Sequence, residues 1–418
     1  MAKYRDFDDD YTYDDEIDLY DEPEDKYYRP PRNIRKKKKK TKKKRGKYIL
    51  LGILALILVI EIPVLYAVNY VDGKMSLIQN VELDEDKIII NNDIDDDTIE
   101  RLKGCENVVL LGSDCRDNTT ESLMQLNKNH TDTIIICNIN HDTKQVKLIS
   151  VYRDALFRIP TSEPGKYIIN KANYAGYKFG VESTISMLNM NMDLDIKDFI
   201  MVNWAALIDI VDAVGGVDIE ISLIEQRWLN RYLVDTSVNT GVPYTEINVI
   251  PDDGTLTDEQ AKLKKDKVLA HMDGIQATAF SRVRYGDGRS DYGRTERQRA
   301  VIAQIVSKAK SMNLNMLNDA VTAVCQNVAT SYSSGDILSK IPILLEYELI
   351  VCDKGFPFTL TDQINSNPNW DFMSPIIPKT LEDNVAELHE VLFGVTNYVP
   401  SSTVKNISDD IITLTGVY

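Results

Sequence analysis

The chain has 418 residues, 43% of them hydrophobic, and a net charge of −16. That hydrophobic content excludes a wholly disordered protein, and the length accommodates one large or two ordinary domains with a proper core. The charge is unevenly placed, which excludes a uniformly acidic surface.

Residues 1 to 28 carry a run of Tyr, Asp and Glu, "RDFDDDYTYDDEIDLYDEPED", with almost no aliphatic residues. Such a composition predicts disorder. Residues 29 to 47 then hold 13 Lys/Arg. Through residue 47 there are 16 Lys/Arg and 12 Asp/Glu, which leaves the remainder with 32 against 52. The apolar stretch "YILLGILALILVIEIPVLYAV" follows at 48 to 68. At about 1.5 Å per residue it measures roughly 30 Å, one hydrocarbon core, and predicts a transmembrane helix over 48–69. Glu61 and Pro63 lie in its last third, where a carboxylate reaches the interface. It starts late, is long and lacks a small-residue cleavage site, so an uncleaved anchor fits better than a signal peptide. The basic flank places residues 1–47 in the cytoplasm and everything after about 70 outside, with attraction to anionic membrane lipid. No nucleic-acid partner is expected from a lysine tract so placed. The exported chain reads as a stalk or leading element (70–104), a domain (105–395) and a C-terminal tail (396–418).

In the domain, "NVVLL" (107–111), "TIIICNI" (133–139) and "QVKLISV" (145–151) are short β-branched runs that predict strands of an α/β fold. The short polar "NINHDTKQ" predicts an antiparallel hairpin between the second and third. In that hairpin Arg153 falls close to Asp132. If the first strand joins antiparallel to the second, Asp114 and Arg116 reach the same rim. Residues 171 to 189 have helical spacing, and "WAALIDIVDAVGGVDIEI" predicts a helix closed by Gly215 and a strand from Val217. The polar stretch 225–266 predicts an irregular insertion.

Asp273 and Gln276 form a capping-box pattern that opens a helix delivering Arg282 and Arg284. In "RTERQRAVIAQIVSKAKSM", Val301, Ile302, Ile305 and Ala309 form an inward stripe. Stepping back by four from Ile302 reaches Gln298 and Arg294, which extend the inward face, whereas Arg297 and Arg299 fit a solvated face or a salt bridge. Arg289 stays unassigned in the Gly-rich connection. Residues 315–350 predict further helices, and "EDNVAELHEVLFG" a last short one.

Cys105, Cys115, Cys137, Cys325 and Cys352 have no zinc spacing, and no disulfide framework is expected. His130, His141, His271 and His389 are scattered, and Ser113 and Ser281 lack a recognisable base. Rim carboxylates suit Mg²⁺, and arginine forks suit phosphate. Together they point to a substrate with two phosphates and to phosphoryl transfer, which positions groups and neutralises charge without a protein nucleophile.

The ordered blocks "VVLLGSDCR", "TDTIIICNIN", "KLISVYRD", "NKANYAGYKFG", "FIMVNWAALIDIVDAVGGVDIEI" and "DGIQATAFSRVRYGDGRSDYGRTERQRAVI" resemble the LytR-CpsA-Psr proteins. The likeness spans about 105 to 310 and continues to about 395. It implies a central mixed β-sheet flanked by helices, with an apolar pocket for a polyprenyl chain and its pyrophosphate at the mouth. The activity it implies is transfer of a glycopolymer from a polyprenyl (undecaprenyl) pyrophosphate carrier to peptidoglycan. By motif, Asp114 and Asp132 correspond to the Mg²⁺ carboxylates and Arg153 to the catalytic arginine. Arg282, Arg284, Arg294 and Gln298 correspond to pyrophosphate binders, Asp291 to a residue orienting an arginine, and Arg116 to a further site position. Two departures stand out: "CRDNTTESLMQLNKNH" is long, and Tyr152 replaces a common proline. The competing readings are a non-catalytic polyprenyl-phosphate-binding or regulatory envelope protein, and a pyrophosphate hydrolase.

Overall fold

The computed structural model describes residues 79–113, 131–286, 288–313, 328–363 and 374–418. The expected cytoplasmic tail and membrane helix lie outside the described residues, as do Asp114 and Arg116. Among the described residues no helix is long and apolar enough to cross a membrane.

Strand β1 (Gln79–Asn80) and helix α1 (Asp96–Lys103) lead into the domain. Asp95 caps α1 by accepting from the Thr98 amide at 2.9 Å. Ile94 and Leu102 enter the main core, so this part of the expected stalk belongs to the domain. Next come β2 (Cys105–Ser113), β3 (Thr131–Asn140) and β4 (Gln145–Val151). β3 and β4 form the expected hairpin, paired from Asn140↔Gln145 to Ile134↔Val151, and β2 runs antiparallel to β3.

A small hairpin, β5 (Leu156–Pro160) and β6 (Tyr167–Lys171), precedes two helices, α2 (Ala172–Phe179) and α3 (Val181–Met192). The helical pattern of 171–189 is therefore broken at Gly180. β7 (Asp198–Val202), α4 (Trp204–Ala213) and β8 (Val217–Ser222) follow in the expected order.

The polar stretch 225–266 is not irregular. It holds most of α5 (Leu223–Thr240), opened by a Ser222–Glu225 capping box, and α6 (Asp258–Leu263). Its helix escapes periodicity because Glu225, Gln226 and Thr236 are buried alongside Leu229 and Leu233. β9 (Lys267–Met272) pairs antiparallel with β8. α7 (Gly274–Arg282) opens on the expected Asp273–Gln276 capping box, and α8 (Ser290–Ser311) is the long arginine-bearing helix. In the described part of 315–350, β10 (Val328–Thr330) and β11 (Glu348–Val351) flank α9 (Ser334–Glu346), where helices alone were expected. α10 (Leu381–Phe393) is not the last helix. α11 (Ser402–Thr415) occupies the expected C-terminal tail and buries Val404, Ile407 and Ile411 in the main core.

The strands assemble a seven-stranded mixed sheet in the order β1-β10-β7-β2-β3-β4-β11. β2–β7 and β4–β11 are parallel, and β2–β3 and β3–β4 antiparallel. Both faces are covered, so the strand period of two divides the interior. Ile134, Ile136, Val109, Ile149 and Phe199 feed a core with α3, α10 and α11. Ile135, Cys137, Val108, Leu148 and Ile200 face the other way, towards Ile302 of α8.

Candidate functional site

A cavity of about 510 Å³ lies on that second face. Leu110, Ile135 and Ile200 of the sheet, Leu207 of α4 and Ile302 and Ile305 of α8 contribute its apolar wall. Its volume suits a small-molecule or lipid ligand. Asp132, Arg284, Arg294 and Gln298 line it too, so charge and apolar surface meet in one opening.

The hairpin register brings Asp132, at the start of β3, beside Arg153, two residues past β4. They form an ion pair through Arg153 Nη1 and Asp132 Oδ1. Arg284 Nη2 stands 3.5 Å from Asp132 Oδ2, and its Nε stands 3.4 Å from Asp291 Oδ1. Arg294 Nη2 lies 3.2 Å from the same Asp291 oxygen. Asp291 therefore orients two arginines and reaches a third, Arg153 Nε at 3.8 Å.

Arg294 is 2% exposed. Burial, helped by Arg153 nearby, brings its pKa down to about 10, so it stays a cation at neutral pH. Burial also disfavours the charged Arg153, but Asp132, Asp154 and Asp291 outweigh it and raise its pKa. Asp154 hydrogen-bonds to Asp291 and ion-pairs with Lys171 Nζ at 3.0 Å. Burial and that neighbouring carboxyl raise Asp291, whereas Asp291, Arg153 and Lys171 hold Asp154 down against burial. Among the described residues, three guanidinium groups and Lys171 face three carboxyl groups, those of Asp132, Asp154 and Asp291. The surplus is positive, and it suits a polyanion. Arg294 Nε and Gln298 Oε1 are buried without a hydrogen-bond partner among the described residues, and both side chains line the cavity. Because both face the cavity, a ligand there can supply the missing bonds.

Arg282 also lines the cavity, but its guanidinium is engaged. It lies 3.6 Å from the centre of the Trp204 ring and binds Thr236 Oγ1 at 2.5 Å and Asp235 Oδ2 at 2.6 Å. Arg297 and Arg299, 2% and 4% exposed, lie on no solvated face, and Arg297 takes the salt-bridge alternative. Arg297 pairs with Glu225 at 3.4 Å and donates to the Val283 carbonyl at 3.0 Å, and Arg299 donates to the Asp353 carbonyl at 2.7 Å. They fasten α8 to α5 and to the chain after β11. Arg289 pairs with Glu296.

Tyr152 acts as a strut. Its hydroxyl accepts from the Gly355 amide at 3.2 Å, and its ring meets Tyr292 of α8 edge-on at 4.9 Å. Sequence reasoning missed Asp154, Lys171, Trp204 and Tyr232, the last of which lines the cavity with its ring 5.7 Å from the Arg282 guanidinium. Asp154 directly follows Arg153, and that adjacency was the available signal; Lys171 stood inside the quoted "NKANYAGYKFG" with no such neighbour.

A family model described as the LytR_cpsA_psr family matches residues 67–348. Among curated proteins, the chain is 29% identical over 252 residues to the polyisoprenyl-teichoic acid–peptidoglycan teichoic acid transferase TagU of Enterococcus faecalis, covering 58% of this chain and 69% of that protein. It is 29% identical over 225 residues to TagU of Bacillus cereus, covering 54% of this chain and 59% of that one. Among solved structures, protein gbs0355 of Streptococcus agalactiae aligns with a TM-score of 0.50 at 20% identity, over 72% of this chain and 92% of its own. That last likeness concerns the fold alone.

Proposed function

The chain belongs to the LytR-CpsA-Psr family, and from that premise we propose that it transfers a glycopolymer from a polyprenyl pyrophosphate carrier onto peptidoglycan in cell-wall assembly. One observation carries the reading: the apolar cavity ends at a buried cation, Arg294, beside Arg284, Asp132 and the unpartnered Gln298 Oε1. An amphiphile with a long apolar chain and a diphosphate head fits that division.

In this reading the carrier's chain occupies the cavity and its pyrophosphate meets Arg284, Arg294 and Gln298. An acceptor hydroxyl oxygen bonds to the glycan-linked phosphorus, and the bond from that phosphorus to the bridging oxygen breaks. Polyprenyl phosphate leaves with the bonding pair, and the hydroxyl proton passes to solvent. Arg153 neutralises charge that develops on the phosphoryl oxygens, and the Asp154–Asp291 pair holds Arg153 and Arg294 in place. The donor chemistry fits Mg²⁺: Asp132 presents carboxylate oxygens at a 28% exposed rim position, and Asp114 follows directly on Ser113 at the end of β2. These two residues would hold the ion, which supplies charge neutralisation to the phosphates when bound. Residues 48–69 would anchor the domain to the outer side of the cell membrane.

The test uses the full chain in detergent micelles with Mg²⁺, a polyprenyl pyrophosphate glycan and peptidoglycan. The wild type releases polyprenyl phosphate and labels peptidoglycan, and Arg153→Ala does both at least about 10²-fold more slowly. Equal release by the two proteins sinks the assignment. Release without labelling favours hydrolysis.

A further inference from the structure

A second cleft, of about 410 Å³, adjoins the cavity and shares Arg284 and Tyr285 with it. Trp228 of α5, Glu259 and Lys262 of α6, and the loop before α8 form its other walls. The loop passes unusually close to them. Gly286 and Gly288 have φ of 103° and 78°. A Cβ at 286 would stand 2.2 Å from Trp228 Cδ1, and one at 288 would stand 2.7 Å from Lys262 Nζ. The positive φ favours glycine at both positions, and at 286 the approach to the Trp228 ring requires it. The Gly-rich connection within the arginine-rich segment therefore shapes the cleft.

Trp228 and Tyr285 place their ring centres 5.5 Å apart, and Tyr285 is 58% exposed. The Arg231 guanidinium stacks 4.6 Å from the Trp228 ring. Arg231 also holds Asp258 at 2.6 Å, which pins α6 beside the aromatic pair. The result is a fixed aromatic platform with an exposed carboxylate and an ammonium at its edge.

We infer that this cleft is a subsite for a pyranose ring of the acceptor glycan. The inference rests on the phosphotransferase reading above. Sugar rings present a C–H face that packs on aromatic rings, and hydroxyls that bond to charged side chains such as Glu259 and Lys262. Position selects the acceptor over the donor. In an in-line displacement the attacking oxygen approaches opposite the leaving group. Polyprenyl phosphate leaves toward the cavity, and the cleft meets the same Arg284 from outside that cavity.

The full chain in detergent micelles tests this with a polyprenyl pyrophosphate disaccharide donor and uncrosslinked peptidoglycan strands as acceptor. Glu259 is exposed and Lys262 half-buried on a surface helix, so the double variant Glu259→Ala/Lys262→Ala keeps its fold, checked by circular dichroism. It should raise the acceptor KM ten-fold or more and the donor KM less than two-fold, and Trp228→Phe should move the acceptor KM in the same direction. A shift in donor KM alone would assign the cleft to the donor's sugars and overturn the inference, as would no shift in either. A second arm titrates the strands alone and follows tryptophan fluorescence. Absence of binding to the wild type overturns the subsite even where transfer proceeds. Binding that the double variant loses, with no donor cleavage by either protein, upholds the subsite and sinks the phosphotransferase reading.

Discussion

Two of the buried charges of the domain are treated differently. Behind the sheet, Asp193 is fully buried, and its carboxylate accepts from Asn91 Nδ2 at 2.6 Å, Tyr398 Oη at 2.9 Å, Ser401 N at 2.8 Å and Ser401 Oγ at 2.6 Å. At the cavity mouth, Arg294 is 2% exposed, yet its Nε and the neighbouring Gln298 Oε1 have no hydrogen-bond partner among the described residues. The Asp193 carboxylate, which holds the fold together, has its bonds completed by the chain. Arg294, which lines the cavity, is kept short of them.

This contrast can be broken experimentally. Asp193→Ala should lower the unfolding free energy by about 3–5 kcal/mol, since several buried donors lose their acceptor at once. Denaturant unfolding measures it, and the folded fraction should keep its specific activity. Arg153→Ala should reduce transfer by about 10²–10³-fold, the usual effect of deleting a group aimed at transition-state charge, with little change in melting temperature. Arg294→Met should raise the donor KM about ten-fold while leaving stability equal or higher, because an incompletely bonded buried cation costs the fold more than an apolar side chain of similar length. A large loss of stability there would erase the distinction between the two regions.

The smallest effect concerns pH. His389 lies behind the sheet, its ring stacked 3.7 Å from that of Tyr398, and burial drives its pKa down to about 4. Between about 4 and about 6.5 the unfolded chain binds a proton that the folded chain does not. Stability should therefore be complete above about 6.5 and decline as pH falls toward 4. Thermal melts across that window should show the slope, and His389→Gln should flatten it.

The sequence made the hairpin legible because β-branched runs and a short polar turn leave little choice of pairing, and the Asp132–Arg153 contact follows from that register. Arg294 was legible because α8 keeps its apolar phase through Ile302 and Ile305. Arg297 and Arg299 were not, since their partners are a distant carboxylate and two backbone carbonyls that no local pattern announces. α5 was hidden by the polar residues on its buried face. α11 was read as a tail although Ser401 caps it and Val404, Ile407 and Ile411 fall at helical spacing. Trp228 and Tyr285 are 57 residues apart in sequence and meet only through tertiary packing.

The division of β3 has a bearing on how such a domain can diversify. Ile135 lines the cavity while Ile134 and Ile136 pack behind the sheet, and Leu110 and Ile200 repeat the arrangement on neighbouring strands. Every second residue along these strands can be exchanged to re-cut the cavity for a different cargo, while its neighbours go on holding the scaffold. Substrate range and foldability are thereby open to largely separate selection.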